Sequence, residues 1–195
     1  MDVLLASSNP HKAAEFRRLF ASSPLHLVLP ADLGLRPLAV PEPGQTFAEN
    51  AASKANAYFQ AYRMPALADD SGLRVDALAG APGVRSARFG PPELDDAGRT
   101  RYLLACLVDI PPPRRGAHYT CCLALARAEQ PLLVVTGHCY GVISEHVVPG
   151  PTGFGYDPVF LLPSLGRTIS QLTPEQKDAV GHRGRAVRAL LRAIR

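Results

Sequence analysis

The sequence predicts an α/β fold, a mixed central β-sheet flanked by helices. Three observations carry this prediction. Short apolar runs alternate with longer amphipathic stretches through the N-terminal half. Two apolar, β-branched segments, Tyr119 to Ala126 and Leu132 to Ile143, then follow each other across a short polar turn. An amphipathic helix closes the chain. The 195 residues suit a single domain, 1–195, with the two long segments contributing to a second lobe.

The composition excludes several classes. With 47% hydrophobic residues the chain can bury a sizeable core, so disorder is not expected. The net charge of +4 permits an anionic partner without demanding one. Four cysteines, Cys106, Cys121, Cys122 and Cys139, form no C-x-x-C pair, which argues against zinc. They read as small buried hydrophobes in a reducing compartment. No apolar run approaches a membrane span and the first residues carry no secretory pattern, so a cytoplasmic protein with no membrane partner is expected.

Val3 to Ala6 reads as a buried first strand. It runs into Ser7-Ser8-Asn9-Pro10-His11-Lys12, and a helix follows to Phe20. Strand, small polar residues and helix start form a geometry that binds phosphate through free N–H groups, with Lys12 adding charge. The same residues also fit an ordinary capped surface helix. Leu25 to Leu29 reads as a second strand. A Pro-rich segment carrying Glu42 leads to Thr46-Phe47-Ala48-Glu49, a capping box that opens a helix to about Tyr62. Lys54 sits on that helix. Capping explains Glu49 but not Asn50, which is a candidate for a contact role.

Ala66 to Phe89 is the most informative stretch. An apolar approach ends in two adjacent carboxylates, Asp69 and Asp70, followed by Ser71 and Gly72. Carboxylates at the end of a strand are placed as metal ligands or catalytic bases. On a strand the two point to opposite sides, so one is expected to be chemically active. Gly72 is expected to allow a sharp turn, and Leu73-Arg74-Val75-Asp76 alternates like a half-exposed strand.

Asp95 to Val108 reads as a helix with Tyr102, Leu103, Cys106 and Leu107 inward. Pro111 to Gly116 reads as a stiff surface linker. Pro149 to Pro158 is a glycine loop in which Phe154 and Tyr156 are candidates to stack on a flat base, with Asp157 accepting from its N–H groups. A β-turn with a surface aromatic is the alternative. A helix begins near Pro174, after the N-cap Thr173, and carries Lys177. Gly181-His182-Arg183-Gly184 interrupts it. Arg185 to Arg195 is amphipathic, with Val187, Leu190, Leu191 and Ile194 inward. Its arginines read as a solvated face, so no nucleic-acid partner is expected.

Taken together, these motifs resemble the inosine triphosphate pyrophosphatase family, enzymes that hydrolyse ITP, dITP and XTP. The resemblance runs from Val3 to Leu191. It rests on S/T-x-N-x-x-K at Ser7, Asn9 and Lys12, and on T-F-x-E-N at Thr46 to Asn50 with Lys54. It continues with D-D-S-G-L-x-V-D-A-L-x-G-x-P-G-V-x-S-A-R at Asp69 to Arg88, F-G-Y-D-P at Phe154 to Pro158, Lys177, and H-R-G at His182 to Gly184. Gly181 departs from the serine common before His-Arg.

The resemblance implies a two-lobed fold with the active site in the cleft between the lobes, and a homodimer. It implies Asp70 as proton acceptor and Glu42, Asp69 and Asp70 as the acids around Mg²⁺. Substrate contacts fall to Ser7, Ser8, Asn9, Pro10, His11, Lys12, Asn50, Lys54 and Ser71, and to Phe154, Gly155, Tyr156, Asp157, Lys177, His182 and Arg183. The implied activity is hydrolysis of a non-standard purine nucleoside triphosphate to the monophosphate and pyrophosphate. Two other functions fit the residues less fully. One is a pyrophosphatase for modified pyrimidine nucleotides; the other is a non-catalytic nucleotide- or nucleic-acid-binding module.

Overall fold

The computed structural model describes residues 1–194. Arg195, the last arginine of the predicted basic face, lies outside the described residues. The strands are β1 (Asp2–Leu5), β2 (His26–Val28), β3 (Ala66–Val75), β4 (Gly116–Ala126), β5 (Leu133–Ile143), β6 (Phe160–Leu162) and β7 (Arg167–Thr168). The α-helices are α1 (Pro10–Phe20), α2 (Phe47–Tyr62), α3 (Asp96–Cys106), α4 (Pro174–Val180) and α5 (His182–Ala193). The strand order is β2-β1-β3-β4-β5-β6-β7. β1 pairs in parallel with β2 and β3, and β6 pairs antiparallel with β5 and β7. The sheet is therefore mixed, as predicted. No described helix is long and apolar enough to cross a membrane.

The chain divides into two compact units. The first gathers residues 1–70, 121–137 and those from His182 onward. Its core joins Val3 and Leu5 of β1, Phe16 and Phe20 of α1, Leu67 of β3, Leu123 and Leu125 of β4, and Val187 and Leu190 of α5. These residues form the apolar stripe of each helix and the inward positions of each strand. The second unit holds residues 71–120 and 138–181. Leu73, Leu103, Tyr119, Ile143, Tyr156, Phe160 and Leu172 lie in its core.

Several expectations are corrected. Gly72 makes no turn: β3 runs through it to Val75, because the buried side chains on either side keep the segment extended. The sharp reversal comes later, where Ala79, Gly80 and Gly83 take positive φ. Leu103 on α3 and Leu107 just past its end are buried, but Tyr102 is 38% exposed and Cys106 is exposed. Tyr102 instead meets the edge of Phe89, with ring centroids 5.3 Å apart. Cys121, Cys122 and Cys139 are buried thiols, as expected. Arg115 does not belong to a surface linker. It is buried and donates to the carbonyls of Leu107, Ile110 and Ser144, which closes the C-terminal end of α3. α5 begins at His182, three residues earlier than the basic periodicity indicated.

Candidate active site

In the first unit the adjacent aspartates of β3 have contrasting surroundings. Asp69 is 1% exposed and accepts from Lys12 Nζ at 2.7 Å. Burial pushes its carboxyl up, but Lys12, Arg183 and Lys54 together outweigh burial and hold it below the ordinary carboxylate range. Asp70 accepts from Asn50 Nδ2 at 2.9 Å. Burial raises its proton affinity above the usual value and the nearby Glu42 carboxylate adds to the rise, against the Asn50 hydrogen bond and the two lysines. The two carboxylates are thus shifted in opposite directions, Asp69 toward the anion and Asp70 toward higher proton affinity. Such a divergence between paired carboxylates is how acid–base roles are separated.

The supporting residues follow from local structure. Asn9 caps α1, its side chain accepting from the N–H groups of His11 and Lys12. The capped-helix reading of this segment is therefore correct in geometry. The cap also places Lys12 on the first turn, where it reaches Asp69. Ser8, Pro10 and His11 lie exposed beside it, and Ser7 and Asn9 are half-buried. The predicted capping box at Thr46 and Glu49 starts α2. From α2, Lys54 pairs with Glu42 and donates to the Asp69 carbonyl at 3.1 Å. Asn50 is buried, with both ends of its amide in use: Oδ1 accepts from Gly44 N–H at 2.8 Å while Nδ2 serves Asp70. The amide thus holds the Asp70 carboxylate in place. Arg183 and Glu15 form a buried pair at 3.0 Å, which ties the first turn of α5 to α1.

The second unit holds the glycine loop. Positive φ at Gly153 and Gly155 folds it around the Asp157 carboxylate. That carboxylate accepts from Phe154 N–H at 3.0 Å and from Lys177 Nζ at 2.8 Å. The Lys177 ammonium also lies 4.9 Å from the centre of the Phe154 ring, within cation–π range. Tyr156 is corrected as a stacking residue: its ring is buried in the core and its hydroxyl donates to the Ser86 carbonyl at 2.8 Å. Phe154, half-buried, is the remaining aromatic face of the loop. Thr100 Oγ1 donates to the Gly155 carbonyl at 3.1 Å. Ser71 is half-buried on β3, and His182 is buried at the start of α5.

Among the described residues no group of three or more His, Cys, Asp or Glu side chains is disposed to hold a metal ion. There remains the Glu42–Asp70 pair, whose mutual repulsion a divalent cation would relieve. Mg²⁺ is commonly held by one or two carboxylates together with substrate phosphates, so this donor set fits it.

The Ham1 family model matches residues 3–193. The chain belongs to the Ham1 family. Relatives named dITP/XTP pyrophosphatase include one from Yersinia pseudotuberculosis, 45% identical over 99% of this chain and 98% of its own. Another, from Streptomyces coelicolor, is 43% identical over 99% and 96%. Among solved structures, the HAM1 protein of Coxiella burnetii superposes with a TM-score of 0.88 at 35% identity, covering 100% of this chain and 98% of that one. A Mycobacterium abscessus structure described as a nucleoside-triphosphatase and dITP/XTP pyrophosphatase gives 0.76 at 46% identity, covering 98% and 99%. Glu15 and Tyr58 escaped the sequence reading. Their partners, Arg183 and Leu38, lie 168 and 20 residues away, beyond any local pattern.

Proposed function

We propose that this chain hydrolyses non-standard purine nucleoside triphosphates such as dITP, ITP and XTP to the nucleoside monophosphate and pyrophosphate. The observation that carries the reading is the β3 aspartate pair, one anchored by Lys12 and the other raised in proton affinity, in a Ham1-family chain. Full-length relatives named dITP/XTP pyrophosphatase support the substrate class.

Hydrolysis needs a proton acceptor, charge neutralisation and a base-recognition surface. Asp70 takes the proton from the attacking water, and Asn50 aims its carboxylate. The water oxygen bonds to the α-phosphorus. The bond from that phosphorus to the α–β bridging oxygen breaks, and pyrophosphate leaves with the electron pair. Lys12 and Lys54 neutralise the triphosphate, each already positioned by a carboxylate. Asp70 and Glu42 would hold Mg²⁺ together with the phosphates, and the bound cation would supply Lewis-acid neutralisation. Phe154 offers a stacking face to the purine. His182, Arg183 and backbone N–H groups are the donors that favour a 6-oxo group over the adenine amino group. The protein acts in the cytoplasm as a homodimer.

Product analysis tests this reading. Purified protein with Mg²⁺ at mildly alkaline pH is given ITP, XTP, dITP, GTP, ATP and dTTP separately. The expected outcome is IMP and pyrophosphate from ITP, with ATP and GTP largely spared. IDP and orthophosphate would move the attack to the γ-phosphorus. Binding of ITP without turnover would return the chain to a nucleotide-binding module.

A further inference from the structure

Residues 35–44 form no helix or strand, and three of them, Pro37, Pro41 and Pro43, lack an N–H to donate. This segment nevertheless has to deliver Glu42. It hangs on one face of α2, at Asn50, Lys54, Tyr58 and Tyr62, which follow one another at intervals of four and so stack along the helix. Tyr62 Oη donates to the Arg36 carbonyl. Tyr58 Oη accepts from Leu38 N–H at 3.1 Å and donates to the Leu38 carbonyl at 3.3 Å. Lys54 pairs with Glu42, and Asn50 accepts from Gly44 N–H at 2.8 Å. The segment crosses this helix face in register, one rung at a time. At its far end a Cβ on Gly44 would lie 2.5 Å from Asn50 Oδ1, so a larger residue would push the Asn50 amide aside. The rings of Tyr58 and Tyr62 brace each other edge to face, 5.7 Å apart.

We propose that this ladder is a clasp and that Tyr58 is a positioning residue for Glu42. By fixing both polar groups of Leu38, its hydroxyl sets where the following residues run and hence where the Glu42 carboxylate stands relative to Asp70. The proposal rests on the reading of Glu42 as a metal-holding acid. Tyr58 Oη acts on Glu42 only through Leu38, to which both of its hydrogen bonds go. Asn50 completes the coupling, since the same amide that ends the clasp holds Asp70.

Tyr58→Phe tests it, because the ring that fills the core is kept and only the hydroxyl is lost. Amide hydrogen exchange over residues 36–44, measured in metal-free protein, is expected to quicken by about threefold or more while β3 and α1 keep wild-type protection. The Mg²⁺ concentration for half-maximal turnover of ITP is expected to rise about three- to tenfold, with kcat at saturating Mg²⁺ within about twofold of wild type. Tyr62→Phe, at the outer rung, should show the same pattern more weakly. Unchanged exchange in Tyr58→Phe would overturn the clasp. Faster exchange with an unchanged Mg²⁺ requirement, alongside a shifted requirement in Glu42→Gln, would overturn the positioning role alone. A wild-type Mg²⁺ requirement in Glu42→Gln would remove Glu42 from the metal reading, and the proposal with it.

Discussion

Asp70 and Asp69 are chemically identical neighbours, and their differences are imposed entirely by what surrounds them. Asp69 faces Lys12 and the field of Arg183, whereas Asp70 faces Asn50 and the like charge of Glu42. Asp70→Asn keeps the shape, so Asn50 Nδ2 can still donate to an oxygen at position 70. The substitution removes a partly desolvated charge beside another carboxylate. Turnover is expected to fall by about 10²- to 10⁴-fold, the usual worth of a general base. The melting temperature should hold or rise, since the lost charge was unfavourable to the fold. Steady-state kinetics and a thermal melt on the same preparation check both. Near-wild-type turnover would dismiss Asp70 as proton acceptor, and a large drop in melting temperature would make it structural. The aspartate pair was visible in the sequence because charged residues rarely end an apolar run without a reason. The division of labour within the pair was not visible, because it depends on Asn50, 20 residues away, and Lys12, 57 residues away.

Among the elements, the buried strands were the most legible. Val3 to Ala6 and Tyr119 to Ala126 read as strands because both faces are covered, leaving apolar runs. β7, with two residues, is too short to carry any periodicity. Gly72 misled because a glycine inside a strand looks the same in sequence as one at a turn. Another strand glycine decides how α5 docks. A Cβ at Gly137 of β5 would lie 2.3 Å from Ala186 N, 2.4 Å from the His182 carbonyl oxygen and 2.9 Å from Ala186 Cα. All three are backbone atoms of α5, so no side-chain rotation relieves the clash, and the first turn of the helix would have to lift. Gly137→Ala is expected to cost about 1–3 kcal/mol, as overpacking does. By moving His182 and Arg183 it should also raise the KM for ITP. Chemical denaturation and initial-rate kinetics measure the two effects. Wild-type stability would mean that α5 does not sit this close to the strand.

At the scale of the whole molecule, four cations named above already face a carboxylate of their own unit. Lys12 pairs with Asp69, Lys54 with Glu42 and Arg183 with Glu15 in the first unit, and Lys177 with Asp157 in the second. Buried ions such as Asp69, Arg183, Glu15, Lys177 and Asp157 are costly unless paired, and here the partners come from the chain itself. Each unit also has its own apolar core. These cores and ion pairs lead us to expect that the fold stands without a cation, unlike domains in which a structural metal supplies the folding free energy. The triphosphate changes this balance, because it brings several negative charges to lysines whose charge is partly spent on carboxylates. Activity should need Mg²⁺ while stability should not. Excess EDTA is expected to stop pyrophosphate release from ITP, with recovery on adding Mg²⁺. The same EDTA should leave the melting temperature within about 2 °C, which corresponds to less than about 1 kcal/mol in a domain of this size. Continued turnover in EDTA would discard the metal from the reaction. A melting temperature lowered by more than about 5 °C would give the cation a structural role, and would mean that the lysines do not by themselves compensate the carboxylates they face.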